Sequence, residues 1–103
     1  MNKSEDKSLS AQNYCAEKLK VLADPTRLAI VQALMTRAQF VGQLNEGIRI
    51  DQSLLSHHLR VLRDSGLVVS ERDGKAVRYS LGPDVKASGK NGIQLGCCVL
   101  SFE

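Results

Sequence analysis

The sequence has no tryptophan and only two tyrosines and two phenylalanines. So few rings exclude a stacking platform for single-stranded nucleic acid, which needs several exposed aromatic faces. No apolar stretch approaches the roughly 18 residues that cross a bilayer, which excludes a transmembrane helix. The opening, MNKSEDKSLS, is polar and lacks the apolar core of a secretory signal. The expected compartment is therefore the cytoplasm, with no membrane partner. Cysteine is scarce as well: there are three, Cys15, Cys97 and Cys98, two of them adjacent. An odd number in a reducing compartment fits a disulfide framework poorly and predicts thiols. Neither charge dominates, and the formal net charge of +3 is compatible with a polyanionic partner without identifying one.

What is present fits one domain, since 103 residues leave room for no more. A chain of this length buries a modest core, so association with a second copy would help it. Met1–Ser8 is polar and is expected to fray as a flexible N-terminus. From Leu9 to Leu22 the pattern is helical, with Tyr14 and Lys18 on one stripe and Cys15, Leu19 and Leu22 on the next. Asp24-Pro25 is a helix start: Asp24 can cap free N–H groups, and Pro25 suits the first helical position. The helix that follows carries Leu28, Val31, Leu34 and Met35 at core spacing, to about Thr36. Phe40, Val41 and Leu44 predict a short third helix ending near Gly47. Asp51 is placed to cap a fourth, whose apolar stripe is Leu55, Leu59 and Leu62. Gly66 then suits a left-handed helix end.

The period next switches to alternation. Leu67–Arg72 and Ala76–Leu81 read as strands joined through Asp73-Gly74, a strong hairpin signal. Beyond Gly82 the pattern is less legible. Pro83-Asp84 can start a short helix to Ala87, and Ile93–Phe102 is apolar and partly β-branched, so strand and helix compete there. The expected fold class is mainly α with a β-hairpin wing, a winged helix-turn-helix acting as a homodimer. The expected organisation is a flexible 1–8, a DNA-binding domain over 9–82 and a tail over 83–103.

A helix fits the major groove, where each base pair shows a distinct donor and acceptor pattern. With its leucines inward, the fourth helix leaves Gln52, Ser53, Ser56, His57 and Arg60 on the outside, where they can reach base edges or phosphates. Arg60 and Arg63 on that helix, with Arg72, Lys75 and Arg78 on the hairpin, can supply cationic contacts to the backbone of double-stranded operator DNA. Asp64, Glu71 and Asp73 lie among them, so charge alone is equally consistent with a solvated surface.

Three segments carry a more specific resemblance. Leu22-Ala23-Asp24-Pro25-Thr26-Arg27-Leu28-Ala29-Ile30 resembles the second-helix signature of the arsenic-repressor (ArsR/SmtB) family of bacterial winged-helix regulators. Ser56-His57-His58-Leu59-Arg60-Val61-Leu62-Arg63-Asp64-Ser65-Gly66-Leu67-Val68 is similar to its recognition helix and exit, and Arg72–Leu81 to its wing. The resemblance implies a homodimeric repressor, dimerised through its first and last helices, that leaves operator DNA when an inducer, usually a metal or metalloid ion, binds. It places His58 on the DNA-reading element, so His58 joins the expected DNA-facing residues.

Adjacent helical residues point about 100° apart, so His57 and His58 are poorly placed to chelate one ion. The family's Cys-x-Cys site in the third helix is absent, because residues 40–47 contain no cysteine. Its Asp/His zinc site is absent too, since no histidine follows Leu81. The family's redox pair uses a cysteine early in the second helix, whereas Cys15 lies on the first. What remains is Cys97 and Cys98, with Cys15 either a third ligand or a small buried residue. Thiolates suit soft ions, and trivalent arsenic or antimony takes three of them. The expected function is a repressor that needs no resident cofactor and is released from DNA by As(III) or Sb(III). The alternatives are a thiol redox switch, a small thiol enzyme, and a protein-interaction winged helix that has lost DNA binding. The enzyme is disfavoured because no Cys-x-x-Cys or phosphate-cradling loop is present. The interaction module is disfavoured because the fourth helix keeps a polar, basic face.

Overall fold

Asp24-Pro25 divides the first two helices as its chemistry predicts. In the computed structural model, which describes residues 3–87, 89 and 91–103 (residues 3–8 by their backbone alone), α1 spans Lys3–Leu22 and α2 Pro25–Thr36. The Asp24 carboxylate accepts from the N–H groups of Thr26 at 2.9 Å and Arg27 at 3.0 Å, satisfying two of the free donors of α2. α1 begins six residues before the expected Leu9. Of the segment expected to fray, Met1 and Asn2 lie outside the described residues. In α2, Val31, Leu34 and Met35 are buried as the spacing predicts, but Leu28 is only half-buried and Ile30 is fully buried.

Gln39–Phe40 forms a two-residue strand, β1, before α3 (Val41–Ile48). Gln43 reaches back to accept the Phe40 N–H at 2.9 Å, which starts that helix. The turn into the next helix is fixed by Asn45. Its side chain accepts the Ile50 N–H at 2.9 Å and donates to the Ile50 carbonyl at 3.0 Å. α4 spans Gln52–Asp64. Asp51 precedes it without the expected side-chain cap; its carboxylate instead accepts from the Ser53 hydroxyl. α4 ends on Gly66, whose φ of +83° is the left-handed conformation glycine adopts without a steric cost. The Gly66 N–H bonds the Arg63 carbonyl and the Leu67 N–H the Leu62 carbonyl, the paired closure of a Schellman end.

β2 (Val68–Asp73) and β3 (Ala76–Leu81) pair antiparallel, with Asp73 opposite Ala76. The two turn residues are therefore Gly74 and Lys75, with Gly74 at φ +64°. β1 adds to the other edge of β3, Gln39 opposite Tyr79 and Phe40 opposite Arg78. The result is four helices and a hairpin wing, a winged helix-turn-helix.

In the tail the strand reading prevails. β4 (Gly92–Gln94) and β5 (Val99–Ser101) form a second hairpin, and Lys86 bridges to Ile93. The expected short helix from Pro83 to Ala87 is a turn followed by that bridge. Val85, Ile93 and Leu95 enter the same core as Leu34, Leu44, Leu59 and Leu62, so the tail packs onto the helices. This position also corrects the resemblance, which implied a last helix. The glycines at 89, 92 and 96 and the β-branched run oppose one.

Candidate functional site

The core decides which face of α4 looks outward. Leu55, Leu59 and Leu62 are buried, which leaves Gln52, Ser53, Ser56, His57, Arg60 and Arg63 exposed, as expected. His58 does not join them. It is 8% exposed, and its Nδ1 lies 3.2 Å from Nη1 of Arg27. An arginine only donates, so this contact requires His58 Nδ1 as the acceptor, in a neutral ring protonated on Nε2. Arg27 also donates from Nε to the Val21 carbonyl at 2.6 Å, so one guanidinium joins the end of α1 to the middle of α4. His58 thus ties α4 to Arg27 of α2 from the buried side of the helix. Its alternation with the leucines at i−3, i+1 and i+4 was the sequence signal for that placement.

Two further residues have placements that the sequence reading did not foresee. Leu54, in the first turn of α4, is 46% exposed among the polar residues. Lys18 of α1 donates to the Ser65 carbonyl at the C-cap of α4 and lies over the Tyr14 ring, 5.4 Å from its centre. Both are tertiary facts, set by how α1 and α4 are turned.

On the wing, Arg72 and Lys75 are exposed, Lys75 at the tip. Arg78 is half-buried, paired with Asp73 at 3.4 Å and stacked over Phe40, 5.7 Å from the ring centre. A cleft of about 360 Å³ opens between wing and helices, with Gly42, Ser56 and Lys75 in its walls. Cationic wing, polar helix face and cleft thus lie on one side. The Asp24 carboxylate has its pKa held below the ordinary value, chiefly by the Arg27 N–H it accepts, with the Arg27 charge and the Thr26 N–H adding to this against desolvation.

The second constellation is sulfur. The tail hairpin turns at residues 95–98, where the Leu95 N–H bonds the Cys98 carbonyl at 2.9 Å. This turn packs on α1, with Gly96 against the Tyr14 ring. The sulfur atoms of Cys15, Cys97 and Cys98 thereby lie within 4.8 Å of one another. The expectation of three thiols is corrected: Cys15 and Cys97 form a disulfide, with Cα atoms 5.8 Å apart. The packing of the hairpin on α1 brings the two within the span a disulfide needs, and the odd third cysteine stays free. Cys98 Sγ lies 3.9 Å from Cys15 Sγ and 3.7 Å from Cys97 Sγ. Cys97 is exposed and the other two are half-buried. Once the disulfide is reduced, the cluster offers three soft donors close together, a donor set that suits a three-coordinate thiophilic ion.

Among the described residues, no helix is long and apolar enough to cross a membrane.

The family model described as bacterial regulatory protein, arsR family, matches residues 24–70. The HTH-type transcriptional regulator NmtR of Mycobacterium tuberculosis is 47% identical over 66 residues, covering 64% of this chain and 55% of NmtR. The matched part of the chain thus spans little more than half of that curated relative. Among solved structures, the transcriptional repressor BigR from Xylella fastidiosa superposes with a TM-score of 0.67 at 36% identity, covering 81% of this chain and 83% of BigR. A crystal structure described as a possible transcriptional regulator for arsenical resistance gives a TM-score of 0.62 at 40% identity, covering 65% and 70%.

Proposed function

This chain belongs to the arsR family of bacterial regulatory proteins, and on that premise we propose that it is a homodimeric repressor whose operator DNA is released when arsenite or antimonite binds Cys15, Cys97 and Cys98. The observation that carries the inducer assignment is the gathering of all three cysteines of the chain, 83 residues apart in sequence at the extreme, into one cluster. The relative described as a possible regulator for arsenical resistance supports the choice of ion. The relatives are named as transcriptional regulators, which sets aside the thiol-enzyme alternative.

In this reading Gln52, Ser53, Ser56, His57 and Arg60 face base edges in the major groove, while Arg63, Arg72 and Lys75 contact phosphates. Arg78, engaged with Asp73, contributes to the shape of the wing more than to the DNA. DNA reading falls to residues 9–82, and sensing to the 83–103 tail together with α1. Two recognition helices in a dimer would enter major grooves about 34–36 Å apart on a pseudo-palindromic site. The exposed apolar residues of α1, Leu9 at 51% and Leu19 at 40%, give the second copy a surface to cover. The tail contributes less to that surface than its composition suggests, because Val85, Ile93 and Leu95 are spent in the chain's own core.

Coupling between ion and DNA needs a mechanical link, since an inducer shifts an equilibrium only by its difference in affinity for the two states. α1 supplies one. It carries Cys15, and it holds α4 at both the Ser65 carbonyl, through Lys18, and at His58, through Val21 and Arg27. The test is a fluorescence-anisotropy titration of operator-bound, reduced protein with arsenite, antimonite, zinc, cadmium and peroxide. Release by arsenite or antimonite is expected. Release by zinc alone, or by none of them, would refute the inducer assignment.

A further inference from the structure

Two of the three clustered sulfurs are bonded to each other, and the third sits within 4 Å of both. We infer that the cluster is also a thiol–disulfide exchange site, and that its oxidised form closes the inducer site so that the oxidised repressor no longer responds to metalloid. The inference rests on the proposed role of these cysteines as the inducer site.

The exclusion follows from valence. A three-coordinate metalloid takes a thiolate lone pair from each sulfur. Sulfur atoms joined to each other are no longer thiolates, so the closed Cys15–Cys97 bond leaves Cys98 as the single available donor. One thiolate cannot fill a three-thiolate site. Oxidised and metalloid-bound forms therefore compete for the same atoms.

The geometry also orders the chemistry. Cys97 is the exposed sulfur and meets a small disulfide, RSSR, first. Its thiolate attacks one sulfur of RSSR, forming a Cys97–S–S–R bond and releasing RS⁻. The Cys15 thiolate then attacks Cys97 Sγ, the Cys97–SR bond breaks, and a second RS⁻ leaves. Two protein thiols have lost two electrons and two protons, and RSSR has become two RSH. Cys98 adds a step without net oxidation. As thiolate it attacks Cys15 Sγ from 3.9 Å, forms a Cys15–Cys98 bond and releases the Cys97 thiolate. Both disulfides tie α1 to the tail hairpin, and both leave one free thiol. A dithiol reductant restores all three.

The experiment uses the full chain, reduced and then oxidised with oxidised glutathione. Three readouts are taken: the count of alkylatable thiols, the disulfide map from a non-reducing digest, and arsenite-driven release of labelled operator. The expected result is three reactive thiols and operator release in the reduced protein. The oxidised protein should have one reactive thiol, carry both Cys15–Cys97 and Cys15–Cys98 linkages, and lose arsenite-driven release until dithiothreitol is added. In Cys98→Ser the oxidised protein should have no reactive thiol and only the Cys15–Cys97 linkage. Oxidised protein that releases operator at the same arsenite dose as reduced protein overturns the gating. A map in which Cys15 joins neither tail cysteine overturns the exchange site. Reduced protein that ignores arsenite sinks the inducer assignment itself, and with it the gating, while the map still decides the exchange site.

Discussion

Reducing the Cys15–Cys97 bond is a perturbation whose size can be worked from the chain. The bond closes a loop of 82 residues between α1 and the tail hairpin. In the chain-entropy description, opening such a loop returns about 15 cal/mol/K to the unfolded state, or about 4.5 kcal/mol at 25 °C. The native contacts of the tail do not depend on the staple, because Val85, Ile93 and Leu95 are anchored in the core on their own account. Reduced protein should therefore stay folded and lose between about 2 and 4.5 kcal/mol. With a urea m value of about 2 kcal/mol/M, the midpoint falls by about 1 to 2 M. Paired urea titrations with and without dithiothreitol, followed by far-UV circular dichroism, measure this directly. Cys15→Ser supplies the control: it should sit near the reduced wild type and be insensitive to reductant. A reductant-induced shift below about 0.5 kcal/mol, or an equal shift in Cys15→Ser, would show that α1 and the hairpin are not stapled in solution.

Other expectations follow from the same contacts. Arg60→Ala should cost roughly 1–3 kcal/mol of operator affinity in a sequence-dependent way, whereas Lys75→Ala should weaken all sequences alike and flatten the salt dependence; equal, sequence-independent losses in anisotropy assays would assign Arg60 to phosphate. Arg27→Met removes the donors to the Val21 carbonyl and to the His58 ring, leaving a buried acceptor unpaired, and should destabilise the fold by about 1–3 kcal/mol in urea titrations. Asp24→Ala should cost about 1 kcal/mol at neutral pH through the lost cap. Because the folded-state pKa of Asp24 is lowered, its stabilisation is present above the ordinary value of 3.8 and is lost as pH falls through the folded value. The gap between wild type and Asp24→Ala should thus narrow below pH 3.8. A gap that widens in acid would reverse the assignment.

The helices of the domain and the wing were legible because each is written in local chemistry. Asp24-Pro25 fixes where α2 begins, Gly66 where α4 ends, and the change from a helical to an alternating period marks the passage into β2 and β3. The outward face of α4 was legible for the same reason, since the leucine stripe assigns the opposite side to solvent or DNA. His58 was misplaced because the resemblance assigned it to the DNA-reading element, whereas it occupies an inward position of α4 between the buried leucines. Burial becomes acceptable there because Arg27, 31 residues away, supplies its hydrogen bond. β1 was missed because two residues carry no periodicity, and the strand exists through its pairing with β3.

By itself, then, the sequence determined the winged helix-turn-helix order and the exposed side of its fourth helix, and it named the three cysteines worth following. Only the tertiary structure decided that the tail is a hairpin, that the hairpin folds back onto α1, and that Cys15 meets Cys97 and Cys98 there. Helix starts, helix ends and amphipathic periods are set by interactions over three or four residues, which a sequence displays. Residues 82 positions apart meet only after Val85, Ile93 and Leu95 have found the core, and their place depends on the shape of the surface left by α1, α2 and α4.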